Sequence, residues 1–127
     1  MPSGKILVVD DEPIITGLIS QVLGGEGYQV LASNVPVEGL ALVEGEKPDL
    51  ILLDIGMPGM DGYEFCQRLQ DRGVMDDTPV IFLSGKTAEE DGGRAFQMGA
   101  ATYIRKPFSN TTLKEIVSLT MSSLGKI

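Results

Sequence analysis

Five short apolar runs alternate with longer segments of helical periodicity, and this alternation limits the fold more than any other feature. The runs lie at 5–10, 28–32, 49–54, 79–84 and 101–104. KILVVD and DLILLD are almost continuously apolar, as is typical of strands buried on both faces. Strands that alternate with helices predict an α/β fold of parallel strands joined by right-handed crossovers, with helices on both faces.

Local signals place the first two helices. Pro13 suits a first helical turn, and Gly24–Gly25 ends that helix. Its apolar residues recur at helical spacing: Ile14, Ile15, Leu18, Ile19, Val22 and Leu23. The second helix is expected across 36–45, with an inward face made of Val37, Leu40, Ala41 and Val43.

The remaining helices follow the third, fourth and fifth strands. Apolar residues within 63–69 mark the third helix, with Asp61 as its cap, and the last helix is expected over 111–123. The fourth spans about 88–98 and contains Gly92 and Gly93. Each glycine costs about 1 kcal/mol relative to alanine inside a helix. We therefore expect the fourth helix to be the least stable.

Composition limits the class of protein. The chain has 127 residues, which fits one compact domain, and 43% are hydrophobic, which supplies a core. No apolar run approaches the ~20 residues of a spanning helix, and the start is not a secretory signal. We therefore expect a cytoplasmic protein without membrane insertion. The net charge of −8 argues against direct nucleic-acid binding.

The chain has no histidine, and this absence excludes several kinds of site. The protein cannot carry phosphohistidine, use a histidine base or build a histidine-ligated zinc site. If it handles phosphoryl groups, the donor histidine must lie on another molecule. The single cysteine, Cys66, allows no internal disulfide, which agrees with a reducing compartment.

Polar side chains stand at the carboxyl ends of four predicted strands. Asp10 and Asp11 end the first strand, Asp54 the third and Ser84 the fourth, and Lys106 lies just past the fifth. In open parallel sheets, sites form beyond these strand ends, at a topological switch point. We therefore expect the five side chains to share one shallow pocket.

Three carboxylates in one pocket favour a bound cation. At ~5 Å and an effective dielectric near 20, each carboxylate pair costs about 3 kcal/mol. Protonation or a cation relieves this repulsion. An all-oxygen site suits Mg²⁺, with Mn²⁺ as an alternative. A carboxylate nucleophile, a metal and Lys106 are the parts needed for in-line phosphoryl transfer.

Taken singly, these residues also have structural interpretations. An aspartate that ends a strand is usually a cap or loop residue, and Asp10 or Asp11 could cap the helix near Pro13. Ser84 alone is most often structural, and Lys106 before a proline is usually in a turn. Their joint placement at four strand ends of one sheet favours the functional interpretation.

The motifs VVDDEP, LLDIGMPGMDG, LSG and YIRKPF resemble the receiver domains of bacterial two-component response regulators, the CheY-like superfamily. Their order and separations match over about 5–120. The resemblance implies one receiver domain across 1–127, with a core at about 5–124 and no output domain. It also implies a flavodoxin-like, doubly wound (βα)5 fold with strand order 2-1-3-4-5.

The resemblance assigns the acceptor and the metal ligands. Asp54 matches the phosphoacceptor, which also contacts Mg²⁺. Asp10 and Asp11 match the acidic pair, with Asp11 the more direct ligand and Asp10 acting through water. The backbone carbonyl of Gly56 matches the third protein ligand. Glu12 could assist this site, but it is more often a first-turn helix acid.

The resemblance also implies contacts to the phosphoryl group and a switch. Lys106 matches the lysine that pairs with that group, in a cis peptide bond with Pro107. Ser84 matches the hydroxyl that moves toward it, and Tyr103 the aromatic that swings inward. Two residues depart from the commoner pattern of the family: Gly56, and Lys86, which stands two places after Ser84. Because of these departures, the lifetime of the acyl phosphate stays open.

A signalling switch is therefore expected, rather than an enzyme acting on external substrates. The donor would be a sensor histidine kinase or a histidine phosphotransfer protein. The surface of the fourth helix, fifth strand and fifth helix (α4-β5-α5) would change and be read by a downstream effector protein or domain. The cognate kinase, the output and a phosphorylation-dependent homodimer through the fourth and fifth helices stay open.

Three other functions compete with this one. A receiver-like interaction module would keep the fold without the chemistry, but the full set of acceptor, metal and lysine positions argues against it. A small aspartyl-phosphate phosphatase needs a general acid where Gly56 stands, and a cap for which the chain has no room. A flavin-binding domain would place phosphate against VVDDEP, which repels it.

Overall fold

The structure, a computed structural model, describes residues 4–86, 88–91 and 93–124. Its strands are β1 (Lys5–Val9), β2 (Gln29–Ser33), β3 (Leu50–Asp54), β4 (Val80–Ser84) and β5 (Thr102–Arg105). All pairs are parallel, in the order β2-β1-β3-β4-β5. The predicted doubly wound sheet and its strand order are confirmed.

Six α-helices and one 3₁₀ helix connect or follow the strands in this part of the chain. They are α1 (Pro13–Gly25), α2 (Pro36–Glu46), α3 (Gly62–Asp71), the 3₁₀ helix (Val74–Asp76), α4 (Ala88–Asp91), α5 (Arg94–Gln97) and α6 (Asn110–Ser123). The predicted fifth helix is therefore α6. In the described residues no helix has the length and apolar character needed to cross a membrane.

The prediction of one continuous fourth helix over 88–98 is wrong, because the structure divides this segment into α4 and α5. Gly93 has a φ of 76°, in the left-handed region that glycine adopts without steric cost. The Asp91 carboxylate accepts a hydrogen bond from the Ala95 N–H at 2.8 Å, which satisfies an amide at the start of α5. Gly92 lies outside the described residues.

Two hydrophobic clusters cover the two faces of the sheet. Successive strand residues point to opposite faces, so alternate residues of each strand enter different clusters. One cluster joins Leu7, Val9, Ile51, Leu53 and Phe82 to side chains of α2, α3 and α5. The other joins Ile6, Val8, Leu50, Leu52 and Leu83 to side chains of α1 and α6. The strand ends that carry polar residues therefore emerge from a core packed on both faces.

The expected inward face of α2 is partly wrong. Leu40 and Val43 are buried as predicted, but Val37 is 66% exposed and Ala41 is also exposed. Gly39 explains the orientation, because a Cβ there would lie 2.9 Å from a methyl of Val9. This close approach to β1 turns the other side of α2 toward solvent.

The first apolar residue of α1 also differs from the expected pattern. Ile14 is 84% exposed, whereas Ile19 and Leu23 on the same helix are fully buried. Isolated apolar side chains on a surface are common, because a protein has too little polar surface to cover itself.

Candidate functional site

The predicted site residues meet at the carboxyl edge of the sheet. An open depression of about 480 Å³ is lined by Asp11, Glu12, Asp54, Ile55, Gly56, Ser84, Gly85, Lys86 and Lys106. Asp10 is fully buried at the end of β1 and reaches Lys106 from below this depression. The structure thus brings the acids, the hydroxyl and the lysine together.

Lys106 is the centre of the charge network. Its Nζ lies 2.7 Å from Asp10 Oδ2, 3.2 Å from Asp54 Oδ1 and 3.4 Å from Glu12 Oε1. The Lys106–Pro107 peptide bond that precedes α6 is cis, as the resemblance implies. One ammonium therefore joins acids from the carboxyl ends of two strands, β1 and β3.

Burial shifts the pKa of both central acids upward. Removal from water, followed by the nearby charge of Asp10, raises the pKa of Asp54 from 3.8 to about 6, against the opposing effect of Lys106. Burial likewise raises the pKa of Asp10, opposed by Lys106 and the Glu12 N–H. For Lys106, burial alone lowers the pKa, but its contacts with Asp10 and Asp54 outweigh burial and raise it.

The acidic residues after β1 form a compact oxygen cluster. Asp10, Asp11 and Glu12 each offer a carboxylate oxygen, and these oxygens lie within 4.8 Å of one another. Asp10 Oδ2 is shielded from solvent and, apart from its ion pair with Lys106, has no hydrogen-bond partner. Such an oxygen can still accept a cation, and the all-oxygen set fits Mg²⁺ or Mn²⁺.

The capping interpretation of the acidic pair does not hold. The N-cap residue of α1 is Glu12, and no side chain bonds to the amides of that helix end. Asp10 Oδ1 instead accepts from the Glu12 N–H at 3.0 Å, within the loop. Glu12, expected to be a first-turn acid, stands one position before the helix and reaches Lys106. Asp10 and Asp11 are therefore free of a helix-capping role.

The loop after β3 places Gly56 and starts α3. Gly59 has a φ of 82°, and Asp61 caps α3 as predicted, accepting from the Glu64 N–H at 2.9 Å. A Cβ on Gly62 would lie 2.6 Å from the Asp54 carbonyl oxygen, so only glycine lets α3 begin this close to β3. The Gly56 N–H lies 3.4 Å from Asp54 Oδ1.

The two predicted switch residues contact the same backbone unit. Ser84 Oγ accepts from the Lys86 N–H at 3.0 Å, and the Tyr103 hydroxyl donates to the Lys86 carbonyl at 2.8 Å. Tyr103 is partly buried against the cluster that includes α2 and α3. The loop between β4 and α4 therefore connects Ser84 to Tyr103.

Sequence reasoning missed one residue that contacts the acidic loop. The Asn34 amide donates to the Asp10 carbonyl at 2.9 Å and to Thr16 Oγ1 at 3.0 Å. Asn34 directly follows β2, so the strand-end rule that selected Asp54 and Ser84 also applies to it. It was overlooked because an uncharged amide after a strand is usually a turn residue.

The comparisons with known proteins identify a family. A model described as the response regulator receiver domain matches residues 6–118. The alkaline phosphatase synthesis transcriptional regulatory protein PhoP of Bacillus subtilis (strain 168) is 42% identical over 105 residues, which cover 83% of this chain and 43% of that protein. The transcriptional regulatory protein YvrH of the same organism is 38% identical over 110 residues, covering 86% of this chain and 45% of its own length.

A solved structure agrees with these relatives. The Vibrio cholerae chemotaxis protein CheY4 superimposes with a TM-score of 0.86 at 30% identity, covering 92% of this chain and 98% of that one. This chain spans less than half the length of the two Bacillus subtilis relatives. The family model covers most of the chain and the fold matches over nearly all of it. The chain therefore belongs to the response regulator receiver domain family of two-component signalling.

Proposed function

We propose that Asp54 accepts a phosphoryl group in a Mg²⁺-dependent reaction and that the domain switches its surface in response. The observation that carries this proposal is the position of Lys106, whose Nζ lies 3.2 Å from Asp54 Oδ1 and 2.7 Å from Asp10 Oδ2. The nucleophile, the acidic cluster and a compact cation thus share one open depression. This is the arrangement that in-line phosphoryl transfer needs.

The chemistry assigns one role to each group. Asp10, Asp11, Asp54 and the Gly56 carbonyl would hold Mg²⁺, which when bound supplies positive charge to the phosphoryl oxygens. A carboxylate oxygen of Asp54 attacks phosphorus while the bond to the donor imidazole nitrogen breaks. The electron pair stays on that nitrogen, which takes a proton from solvent. Lys106 pairs with a phosphoryl oxygen and stabilises the charge that develops there.

The switch begins at the Ser84–Lys86 contact. Ser84 turns its hydroxyl toward Asp54 to donate to a phosphoryl oxygen. This new hydrogen bond replaces the one that Ser84 Oγ accepts from the Lys86 N–H. Tyr103 responds because its hydroxyl bonds to the carbonyl of the same Lys86. The surface of α4, α5, β5 and α6, which includes the half-exposed Phe96, then changes for an effector.

The donor and the readers are other proteins. Since the chain has no histidine, the phosphoryl group comes from a phosphohistidine on a sensor kinase or phosphotransfer protein, and we expect the transfer to take place in the cytoplasm. Ile14, 84% exposed on the first turn of α1, offers apolar docking surface beside the acidic cluster. A homodimer through the α4–α5 and α6 surface is a further partner of the phosphorylated state.

Intact-mass measurement tests the proposal. The protein is incubated with acetyl phosphate and Mg²⁺, and we expect a gain of one phosphoryl group. Asp54→Asn and prior chelation of Mg²⁺ should each abolish the gain. If no adduct forms and beryllium fluoride does not bind, Asp54 is not an acceptor and the domain acts as an interaction module. Steady release of phosphate from many phosphoesters would instead indicate a phosphatase.

A further inference from the structure

We propose that Asn34 is a positioning residue for the cation site: it fixes the loop that carries Asp11 and Glu12 so that the acidic cluster can hold a divalent cation. This inference rests on the proposed function, since it concerns the cation that phosphoryl transfer uses. Asn34 itself contacts neither the cation nor the phosphoryl group.

One side-chain amide reaches both ends of the acidic loop. Asn34 Nδ2 lies 2.9 Å from the Asp10 carbonyl oxygen, where β1 ends. The same nitrogen lies 3.0 Å from Thr16 Oγ1, which in turn donates to the Pro13 carbonyl at 3.1 Å. Asp11 and Glu12 occupy the segment between these two attachments.

The chemistry of the partners requires an amide donor at position 34. The Asp10 carbonyl can only accept, so the group that faces it must donate. Thr16 Oγ1 gives its own hydrogen to Pro13 and accepts from Asn34. One NH₂ group has two hydrogens and serves both acceptors at once. An aspartate, alanine or serine cannot reproduce this pair of hydrogen bonds.

The acidic loop needs such support because its carboxylates repel one another. Asp10, Asp11 and Glu12 place oxygens within 4.8 Å, yet Lys106 contacts only Asp10 and Glu12 of the three. Asp11 is partly exposed and takes no part in the ion pairs of Lys106, so the repulsion of its neighbours acts on it unopposed by that lysine. Asn34 holds the backbone of this loop, so less ordering is left for the cation to induce.

Matched substitutions separate positioning from general stability. Asn34→Ala removes both hydrogen bonds. Thr16→Val removes the distal one, together with the bond from Thr16 to the Pro13 carbonyl, while keeping the side-chain shape. Thr16→Ser retains the hydroxyl and should rescue. Ser33→Ala, at the residue that ends β2 just before Asn34, is the control, because the Ser33 hydroxyl bonds only to the Val35 backbone. Mg²⁺ is titrated into each metal-free, unphosphorylated full chain by calorimetry, with urea unfolding measured in parallel.

The expected result is a selective loss of cation affinity. Asn34→Ala should weaken Mg²⁺ binding about fivefold to tenfold, the effect of losing one to two hydrogen bonds to the loop. Thr16→Val should weaken it about threefold, with Thr16→Ser and Ser33→Ala close to wild type. In metal-free protein, amide exchange at Glu12 should be faster in Asn34→Ala. At saturating Mg²⁺ the phosphorylation rate should return to near that of wild type.

Each contrary outcome has a distinct meaning. If wild type binds Mg²⁺ and Asn34→Ala binds it equally well, Asn34 does not position the site, while the role of Asp54 stands. If Ser33→Ala loses as much affinity as Asn34→Ala, the effect is loss of loop stability and the inference is wrong. If Asn34→Ala does not fold, the Mg²⁺ affinities of Thr16→Val and Thr16→Ser are compared instead. Equal affinities in these two variants would then contradict the inference. A wild-type chain that binds no Mg²⁺ overturns both this inference and the proposed function.

Discussion

The two sides of the site are held in different ways. The acid side comprises Asp10, Asp11 and Glu12, and it is tied to β2 and its following loop by the Asp10 N–H to Ser33 carbonyl bond of 3.1 Å and by Asn34. The switch side comprises Ser84, Lys86, Tyr103 and α4. The side-chain hydrogen bonds of Ser84 and Tyr103 both end on the backbone of Lys86.

The two short helices after β4 differ in a similar way. The helix α4 of the switch side has four residues and ends before Gly93, whereas α5 packs against α3. The Arg94 guanidinium lies 3.9 Å from the centre of the Tyr63 ring, and Ala95 is fully buried. A helix this short leaves most of its end groups without intrahelical partners. The comparison suggests one fixed side that holds ligands and one short side that responds.

The largest effect is expected from Lys106→Met, which removes the ammonium that joins the acid side to Asp54. Asp10 Oδ2 loses its single partner, so metal-free protein at pH 8 should lose about 3–5 kcal/mol in the free energy of unfolding. The loss should be smaller at pH 5, because the raised pKa of Asp10 favours its neutral form as the pH falls. The phosphorylation rate should fall about 10²-fold to 10³-fold.

Urea unfolding at both pH values and intact-mass kinetics measure these changes. Lys86→Met is the matched control, since the contacts of Lys86 that tie the switch side are made by its backbone. Equal effects of the two substitutions would show that the loss does not come from the ion pairs of Lys106.

Asp54→Asn should stabilise the metal-free protein. The pKa of Asp54 is raised from 3.8 to about 6, so between these values the folded state binds the proton more tightly, and stability falls as the pH rises through that window. At pH 7.5 the neutral variant should gain about 1–3 kcal/mol over wild type, and below pH 4 the gain should vanish.

Unfolding curves from pH 3.5 to 8, in chelator and in Mg²⁺, test this sign. Saturating Mg²⁺ should shrink the gain, because it stabilises the ionised wild type. Asp61→Asn is the control, since asparagine also caps a helix and Asp61 is exposed. A wild type that is more stable than Asp54→Asn without metal would contradict the electrostatics of the site.

Gly93→Ala should weaken the switch side alone. The φ of 76° forces an alanine into the left-handed region at a cost of about 1–2 kcal/mol, and asparagine should cost less there. Mg²⁺ affinity should not change, because the acid side is untouched. Gly45→Ala on α2, where a Cβ meets open space, is the control and should slightly stabilise. Calorimetry and unfolding distinguish these outcomes, and a loss of Mg²⁺ affinity in Gly93→Ala would show that the two sides are not independent.

The smallest effect is expected from Tyr103→Phe. Loss of its hydrogen bond to the backbone of the exposed Lys86 should cost about 0.5–1 kcal/mol, and Ser84→Ala a similar amount. Because both bonds end on one residue, the double variant should show a coupling of about 0.5 kcal/mol or more by urea unfolding. Strict additivity would mean that Lys86 does not connect the two side chains.

Much of the fold and part of the site followed from the sequence alone. Local periodicity and a crossover rule that holds for most α/β proteins predicted parallel strands alternating with helices. The strand order came from the family resemblance, and the five expected helices are six α-helices in the described residues. The positions of Asp10, Asp54 and Lys106 at one edge follow from the same rule. The division at Gly93 was visible only as a weak helix, because a glycine pair lowers helix stability without saying where the chain turns.

The tertiary structure decided which contacts those residues make. The outward position of Val37 depends on how closely Gly39 approaches Val9, and the bond from Asn34 to the Asp10 carbonyl spans 24 positions of sequence. Neither distance appears in any local pattern. Sequence by itself thus determined the strand ends and the charges they carry, because these depend on periodicity. Only tertiary packing decided that one lysine joins three acids and that one amide holds their loop, because both depend on distances between segments far apart in the chain.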